Sequence, residues 1–559
     1  MFGLEPPQKR QRLDPTPHAS PEPEHTGQPT QPPADNKSTP TVKAWNQSQN
    51  PPPSGYQGPS HPSPRPAGAG EPLYSPPNSR YQDGFSQDPG FLASQEELRS
   101  ILFTFANSAA PTRASSPEAD RRDLADTGSA SRGSAVSGSS SGSQSYHSAQ
   151  RGSVPPPPSS ARTSPLSSRR RIEYLKNYVA EIAPWLDMFD SRYTFRQQLP
   201  ALAHSFPALS YAILAISARQ MERKSGTQDW CDSLELYQEA TRLLSPLLQV
   251  CDPKIVAACV LLCCLEMMSA RAQDWHRHLE GCAALFDAFG IHGFSQGLLQ
   301  AVFWCYARMD LCGALISDGT RTTLLHPSKW LPAECQEEDA YRLFKEARSP
   351  DMHANYAVYL CMKTTELGAN RTKFVELGEE NGCTTDVFSS RWTQLWNDLQ
   401  TWLAERPSEL LPVQTLPRKP FPQILFVHWA AISSNQLYHT ACILLLKMMP
   451  KSLRLTRSHN LSLLWHARRI CGISLSNKHH GCLNNAIQPL WIAGRLFSHA
   501  SEHEQIIKII RDVEAETGWG ACWRIRDLEL AWGYNPRRDT ANFPSQQFSA
   551  PIDQEIVAS

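Results

Sequence analysis

The chain has 559 residues, with 54 Lys and Arg set against 54 Asp and Glu, 46 prolines, 15 cysteines and 15 tryptophans. A formal charge of zero provides no global field to gather nucleic acid or an anionic surface. The most apolar windows, 255–268 and 443–449, are too short and interrupted to cross a bilayer, and no apolar start resembles a signal peptide.

Composition divides the chain in two. Up to about residue 168 it is dominated by Pro, Ser, Gly and Gln, with Trp45 as the sole tryptophan and no cysteine. So few apolar side chains cannot offset the entropy of ordering, and 1–168 reads as a long disordered region. A body follows at 169–534, and a polar tail at 535–559. Every cysteine lies between Cys231 and Cys522, most inside apolar runs such as VLLCC at 260–264. That is the usage of reduced, buried thiols in cytosol or nucleus rather than of a secreted disulfide framework.

In chain order, PPQKRQRL at 6–13 places Lys9, Arg10 and Arg12 in an unstructured setting. Such a cluster is a nuclear-import candidate, with a solvated charge run as the plain alternative. One island interrupts the low complexity: FLASQEELRSILFTF at 91–105. Ser94 and Glu97 have capping-box spacing, and Leu98, Ile101, Leu102 and Phe105 fall at i, i+3, i+4 and i+7 on one helical face. So short a helix is marginal alone, and its stripe needs something to cover it. Two destinations are open: the groove of a partner protein, or this chain's own helical body. Gly/Ser and Pro tracts at 134–148 and 154–162 then form a linker and a stiffer spacer, and Arg169, Arg170 and Arg171 mark the start of the body.

The stretch 174–224 predicts two amphipathic helices around a tight corner. Tyr174, Tyr178, Ile182 and Trp185 share the first, which bends or ends at Pro184, and DMFD at 187–190 is a short link. Leu209, Ile213, Leu214, Ile216 and Met221 line the second. Helical patterns continue at 234–248, 255–265, 275–289 (closed by Gly290) and 298–311, with a loop-rich interval to about 354. They resume at 356–367, 387–403, 422–449, 462–474, 486–500, 502–516 and 519–532, and no alternating strand is evident. The expected fold is all-α, an array of packed helical hairpins.

No catalytic residue, cofactor site or metal ligand is assigned. The sequence lacks GxSxG, Walker, GxGxxG and HExxH patterns. Cys259, Cys263 and Cys264 read as core thiols, and His276 and His278 sit on different faces of one helix. Cys471, His479, His480 and Cys482 are the most metal-like group but lack a second ligand pair. Trp519, Trp523 and Leu530 fit one buried stripe better than a stacking platform for nucleic acid.

YLKNYVAEIAPWLDMFD (174–190), followed by FPALSYAILAISARQMER (206–223), resembles the start of the fungus-specific transcription factor domain. This is the regulatory helical body of fungal zinc-cluster regulators. The resemblance continues in WHRHLEGCAALFDAFGIHGF (275–294), LLQAVFWCYARMDLCGALI (298–316) and LHPSKWLP (325–332), and ends in IQPLWIAGRLF (487–497) and TGWGACWRIRDLELAWGY (517–534). It implies a nuclear, non-enzymatic regulator of RNA polymerase II transcription, controlling a metabolic or secondary-metabolite gene set. Typical members hold two zinc ions with six N-terminal cysteines, whereas this chain has none before Cys231. The expectation is therefore a regulator that reaches promoter DNA indirectly, through a DNA-bound partner, or through a segment not evident in this chain. Transcription machinery is the expected partner and homo-oligomerisation stays open. A small-molecule-binding helical scaffold without a chromatin role is the alternative.

Overall fold

The computed structural model describes residues 84–109, 166–226, 229–250, 252–269, 272–317, 321–455 and 458–534. Lys9, Arg10, Arg12, both low-complexity tracts, the polar tail and the side chain of Phe105 lie outside the described residues.

A 3-10 turn, Gly84–Gln87, leads into α1 (Pro89–Ala109). Asp88 Oδ1 accepts from the Gly90 and Phe91 amides at 2.8 and 3.2 Å, and Pro89 occupies the first helical position, where its missing N–H costs nothing. The expected capping box at Ser94 and Glu97 is thus corrected: both lie inside a helix that Asp88 starts six residues before Ser94.

Ser167 caps α2 (Ser168–Asn177), and a π-helical turn, Tyr178–Ile182, carries it into α3 (Ala183–Leu186). Pro184 stands in the first turn of α3, so the helix widens ahead of a residue that cannot donate. The DMFD corner is held by its own carboxylates. Asp187 accepts from the Phe195 and Arg196 amides at 2.7 and 2.9 Å, and Asp190 accepts from Arg192 and Thr194. These bonds start the turn that becomes α4 (Leu199–Ala203). Then come α5 (Pro207–Ser225), α6 (Cys231–Leu244), α7 (Pro253–Ser269), α8 (Ala272–Ala288) and α9 (Leu298–Ile316). Gly290, at φ 61°, takes the left-handed turn that ends α8.

The later helices are α10 (Ala340–Glu346), α11 (Pro350–Glu376), α12 (Thr385–Ala404), α13 (Trp429–Lys447) and α14 (Leu463–Ser476). They are followed by α15 (His480–Leu483), α16 (Ile487–Gly494), α17 (Ala500–Thr517) and α18 (Trp523–Ala531). Helix α7 is the hub: every residue from Ile255 to Ser269 is buried, and it packs on α5, α8 and α9. Helix α9 reaches both α11 and α16, which joins the first half of the array to the second. The all-α expectation holds.

Three local readings change. The interval expected to be loop-rich contains α10 and the start of α11. The helix expected from residue 422 begins at Trp429, after an antiparallel hairpin of β1 (Gln414–Leu416) and β2 (Gln423–Leu425) that pairs Thr415 with Ile424. Only Ile424 of that hairpin is buried, so no alternation betrays it. Leu530 is 56% exposed, because α18 turns Arg524, Ile525 and Leu528 inward instead.

The island is seated on the body. Phe91, Leu98 and Leu102 are fully buried, Ile101 is half-buried, and α1 packs on α6 and α8. Residues 84–109 therefore stand, in space, with the body that the expected boundary at 168/169 separates from them. Leu98→Ala and Leu102→Ala should each cost about 3 kcal/mol. Leu92→Ala, on the outer face and 41% exposed, should cost no more than about 0.5 kcal/mol. Thermal unfolding of the full chain checks this: equal midpoints for all three variants would mean that α1 does not dock.

Candidate regulatory site: the seat of the N-terminal helix

The seat is built from aromatic faces and one small residue. Phe85 lies under the Arg219 guanidinium at 4.4 Å and against Phe91 at 4.5 Å, and Phe91 meets the Tyr237 ring at 5.0 Å. Further along, α8 presents Gly281 to Leu102. A Cβ there would come within 2.9 Å of a Leu102 methyl carbon, so only glycine lets the side chain settle this close to the helix.

Beneath that apolar layer is a fully buried carboxylate. Glu266 of α7 accepts from Tyr237 Oη at 2.7 Å and pairs with His278 Nδ1 at 2.5 Å. Its other oxygen accepts from Gln95 Nε2 of α1 at 2.6 Å. A buried carboxylate is tolerable only when charge and hydrogen bonds replace water, and one of the three donors here belongs to α1. Losing that donor alone costs about 1–3 kcal/mol. Arg219, also buried, is held by Glu222 at 3.2 Å and Ser269 at 3.0 Å. Glu222 in turn accepts from the Ser233 amide and hydroxyl.

Two thiols complete the cluster. Burial alone works against the His278 imidazolium, but Glu266 and then Cys282 outweigh it and push His278 up to about 10. The Cys263 thiol beside Cys282, helped by His278, pulls Cys282 down to about 6 against burial. Cys282, His278 and Glu266 thus form a thiol–imidazole–carboxylate row. All three side chains are buried, however, and none lines the cavity or the groove described below. The signal for this cluster was the i, i+4 spacing of His278 and Cys282 on α8 and the i, i+3 spacing of Cys263 and Glu266 on α7. Sequence reading weighed the cysteines and the histidines separately and missed it.

Of the sequence candidates, Leu98 and Leu102 come together in the seat, Ile101 lies at its edge, and Phe105 falls outside the described side chains. His276 and His278 part as expected, His276 to Glu280 at 3.2 Å. The metal-like group disperses. Cys482 bonds the Trp429 carbonyl with His479 at 3.6 Å, His480 pairs with Glu181 at 3.1 Å, and Cys471 is in the core. Among the described residues no group of three or more His, Cys, Asp or Glu side chains is placed to hold a metal ion. At the C-terminus, Arg524 lies between Trp491 at 3.9 Å and Trp523 at 4.1 Å and is hydrogen-bonded to Gln488 and Asp527. Its stacking is internal.

An apolar cavity of about 80 Å³ lies where α3, α9 and α16 converge, bordered by Trp185, Met188, Cys305, Arg308 and Met309. Ligand pockets run to about 300–1,000 Å³, so this space suits a few atoms rather than a metabolite.

His278 should make docking pH-dependent. Its pKa lies above the ordinary value of about 6.5, so its contribution to stability is complete below that pH and fades as pH rises through about 10. Cys282, shifted the other way, opposes this. In a Cys282→Ser background, the midpoint advantage of His278 over His278→Gln should be largest near pH 6 and vanish above pH 10. An advantage independent of pH would mean that the imidazole is held neutral.

Residues 173–532 match the model of the fungal specific transcription factor domain. A transcription activator of Alternaria alternata, AMTR1, is similar at 22% identity over 504 residues. That match covers 66% of this chain, and the chain spans 64% of the length of that relative. No solved structure matches. The matched segment takes in most of the helical body and more than half of the chain, and the protein belongs to the fungal specific transcription factor domain family.

Proposed function

We propose that this protein is a nuclear regulator of RNA polymerase II transcription, serving a fungal metabolic or secondary-metabolite gene set. It reaches promoters through a DNA-bound partner or a DNA-binding segment, and α1 recruits the transcription machinery. The observation that carries this reading is the burial of Leu98 and Leu102 of α1. Leu98 and Leu102 are anchored by a polar bond to Glu266, yet α1 is joined to α2 by a tract of Gly, Ser and Pro. A helix held by its own body cannot offer the same face to a partner. Docking and recruitment therefore exclude each other, and the seat sets how much α1 is available. Lys9, Arg10 and Arg12 serve nuclear import. The apolar cavity, at about 80 Å³, is too small to make the scaffold alternative's metabolite site.

One cell experiment tests the reading. The tagged full chain, fused to an unrelated DNA-binding domain, is read by a reporter gene and imaged. Gly281→Leu fills the seat without changing a residue of α1 and should raise the reporter several-fold, whereas adding Leu98→Asp and Leu102→Asp should return it to background. Replacing Lys9, Arg10 and Arg12 by Ala in the tagged chain without the fusion should shift it out of the nucleus. A reporter indifferent to Gly281→Leu would contradict the masking of α1. A reporter that survives the double Asp substitution would contradict recruitment by this face.

A further inference from the structure

The second concavity lies far along the chain from the seat. Its one wall is the β1–β2 turn, which carries Arg418 and Lys419. The other is the 3-10 turn at His459 with the first turns of α14, which contribute Trp465, Arg468 and Arg469. The space between them is about 800 Å³, and not one carboxylate lines it. Only Arg468 has an acidic partner, Glu502 at 2.8 Å. Among the described residues, Arg418, Lys419 and Arg469 have none within salt-bridge range.

Arg469 is the telling member. Its guanidinium lies over the Trp465 ring at 4.6 Å, and its Nε is buried with no hydrogen-bond partner. A guanidinium partly removed from water, its fork unfilled and other cations around it, is costly unless an anion arrives. The deficit extends one layer down, where His439 and His466 face each other, Nδ1 to Nδ1, at 2.8 Å. Burial first lowers both below the ordinary histidine value; at His439 the neighbouring His466 comes next, followed by Arg469 and Arg406, and at His466 Arg469 adds to burial against the Asn460 carbonyl. No acid enters from that side either.

We infer that this groove is the binding site for a small organic polyanion, a phosphorylated metabolite carrying two or more negative charges, held by Arg418, Lys419 and Arg469 with its body against Trp465. Guanidinium forks match phosphate oxygens two at a time, and cations lining one groove act together on a multiply charged anion. The volume is that of a ligand pocket. A DNA backbone would instead need an extended basic face, and the chain has no net charge to supply a wider field. The site goes beyond the recruiting role of α1 and does not depend on it.

Titration calorimetry on the full chain at low salt tests the inference, with inorganic pyrophosphate as the probe. Pyrophosphate should bind one to one and about tenfold tighter than orthophosphate, since each filled fork contributes roughly one such factor. Arg469→Gln should weaken it by about tenfold, and so should the exposed pair Arg418→Gln with Lys419→Gln, which leaves the fold untouched. Lys508→Gln, exposed on α17, should change nothing. Absence of saturable binding would overturn the proposal. So would equal loss with Lys508→Gln, or displacement of pyrophosphate by any DNA duplex at equal phosphate concentration, which would mark a general polyanion surface.

Discussion

A single buried side chain, Glu266, sets the terms for the first half of this protein. It sits in α7, the helix buried all round, and therefore cannot borrow hydrogen bonds from water. Its partners come from three other helices: Tyr237 from α6, His278 from α8 and Gln95 from α1. An apolar core tolerates small shifts, but a buried carboxylate with three fixed donors admits one arrangement. The packing of α6, α7 and α8 is thereby tied to the presence of a helix that lies outside the matched family segment.

That tie makes α1 two things at once. Its apolar face is part of the folded core, with Phe91, Leu98 and Leu102 as completely buried as the central helices. It is also the one element of the core whose link to the next runs through dozens of residues rich in Gly, Ser and Pro. Helices joined by short turns cannot leave without unravelling their neighbours, whereas α1 can leave with little penalty in chain connectivity. The cost of its departure lies in the seat: exposed aromatic rings and a carboxylate short of one donor. A cost of that kind keeps the helix docked until something that binds its face offsets it.

Much of the architecture was legible because helix periodicity is a local property. Apolar spacing located α5 to α9, α12, α14 and α17, and Gly290 marked a true helix end. What escaped depends on long-range pairing. The stripe of Leu98, Ile101 and Leu102 looks the same whether it faces a partner or its own body, and only Tyr237, Glu266 and Gly281, more than 130 residues later, settle its place. The Glu266 cluster was hidden because each member, taken alone, resembles an ordinary core residue. The preference for a buried stripe over a stacking platform at the C-terminus agrees with the structure for Trp523, whose ring faces Arg524, while Trp491 from another helix covers the other side of that guanidinium. The basic groove escaped because its charges come from two segments some 40 residues apart, while the whole-chain sum is zero.

Amide hydrogen exchange on the intact full-length chain tests the central claim most directly, because it reads the docking of α1 without altering a residue. An isolated helix of this length exchanges close to the rate of an unfolded chain. If α1 is seated, the amides of residues 95–104 will be protected by orders of magnitude, to a degree approaching α8. Exchange of those amides at the unfolded rate, with α7 and α8 still protected, would show that the body folds without α1 and would contradict the account.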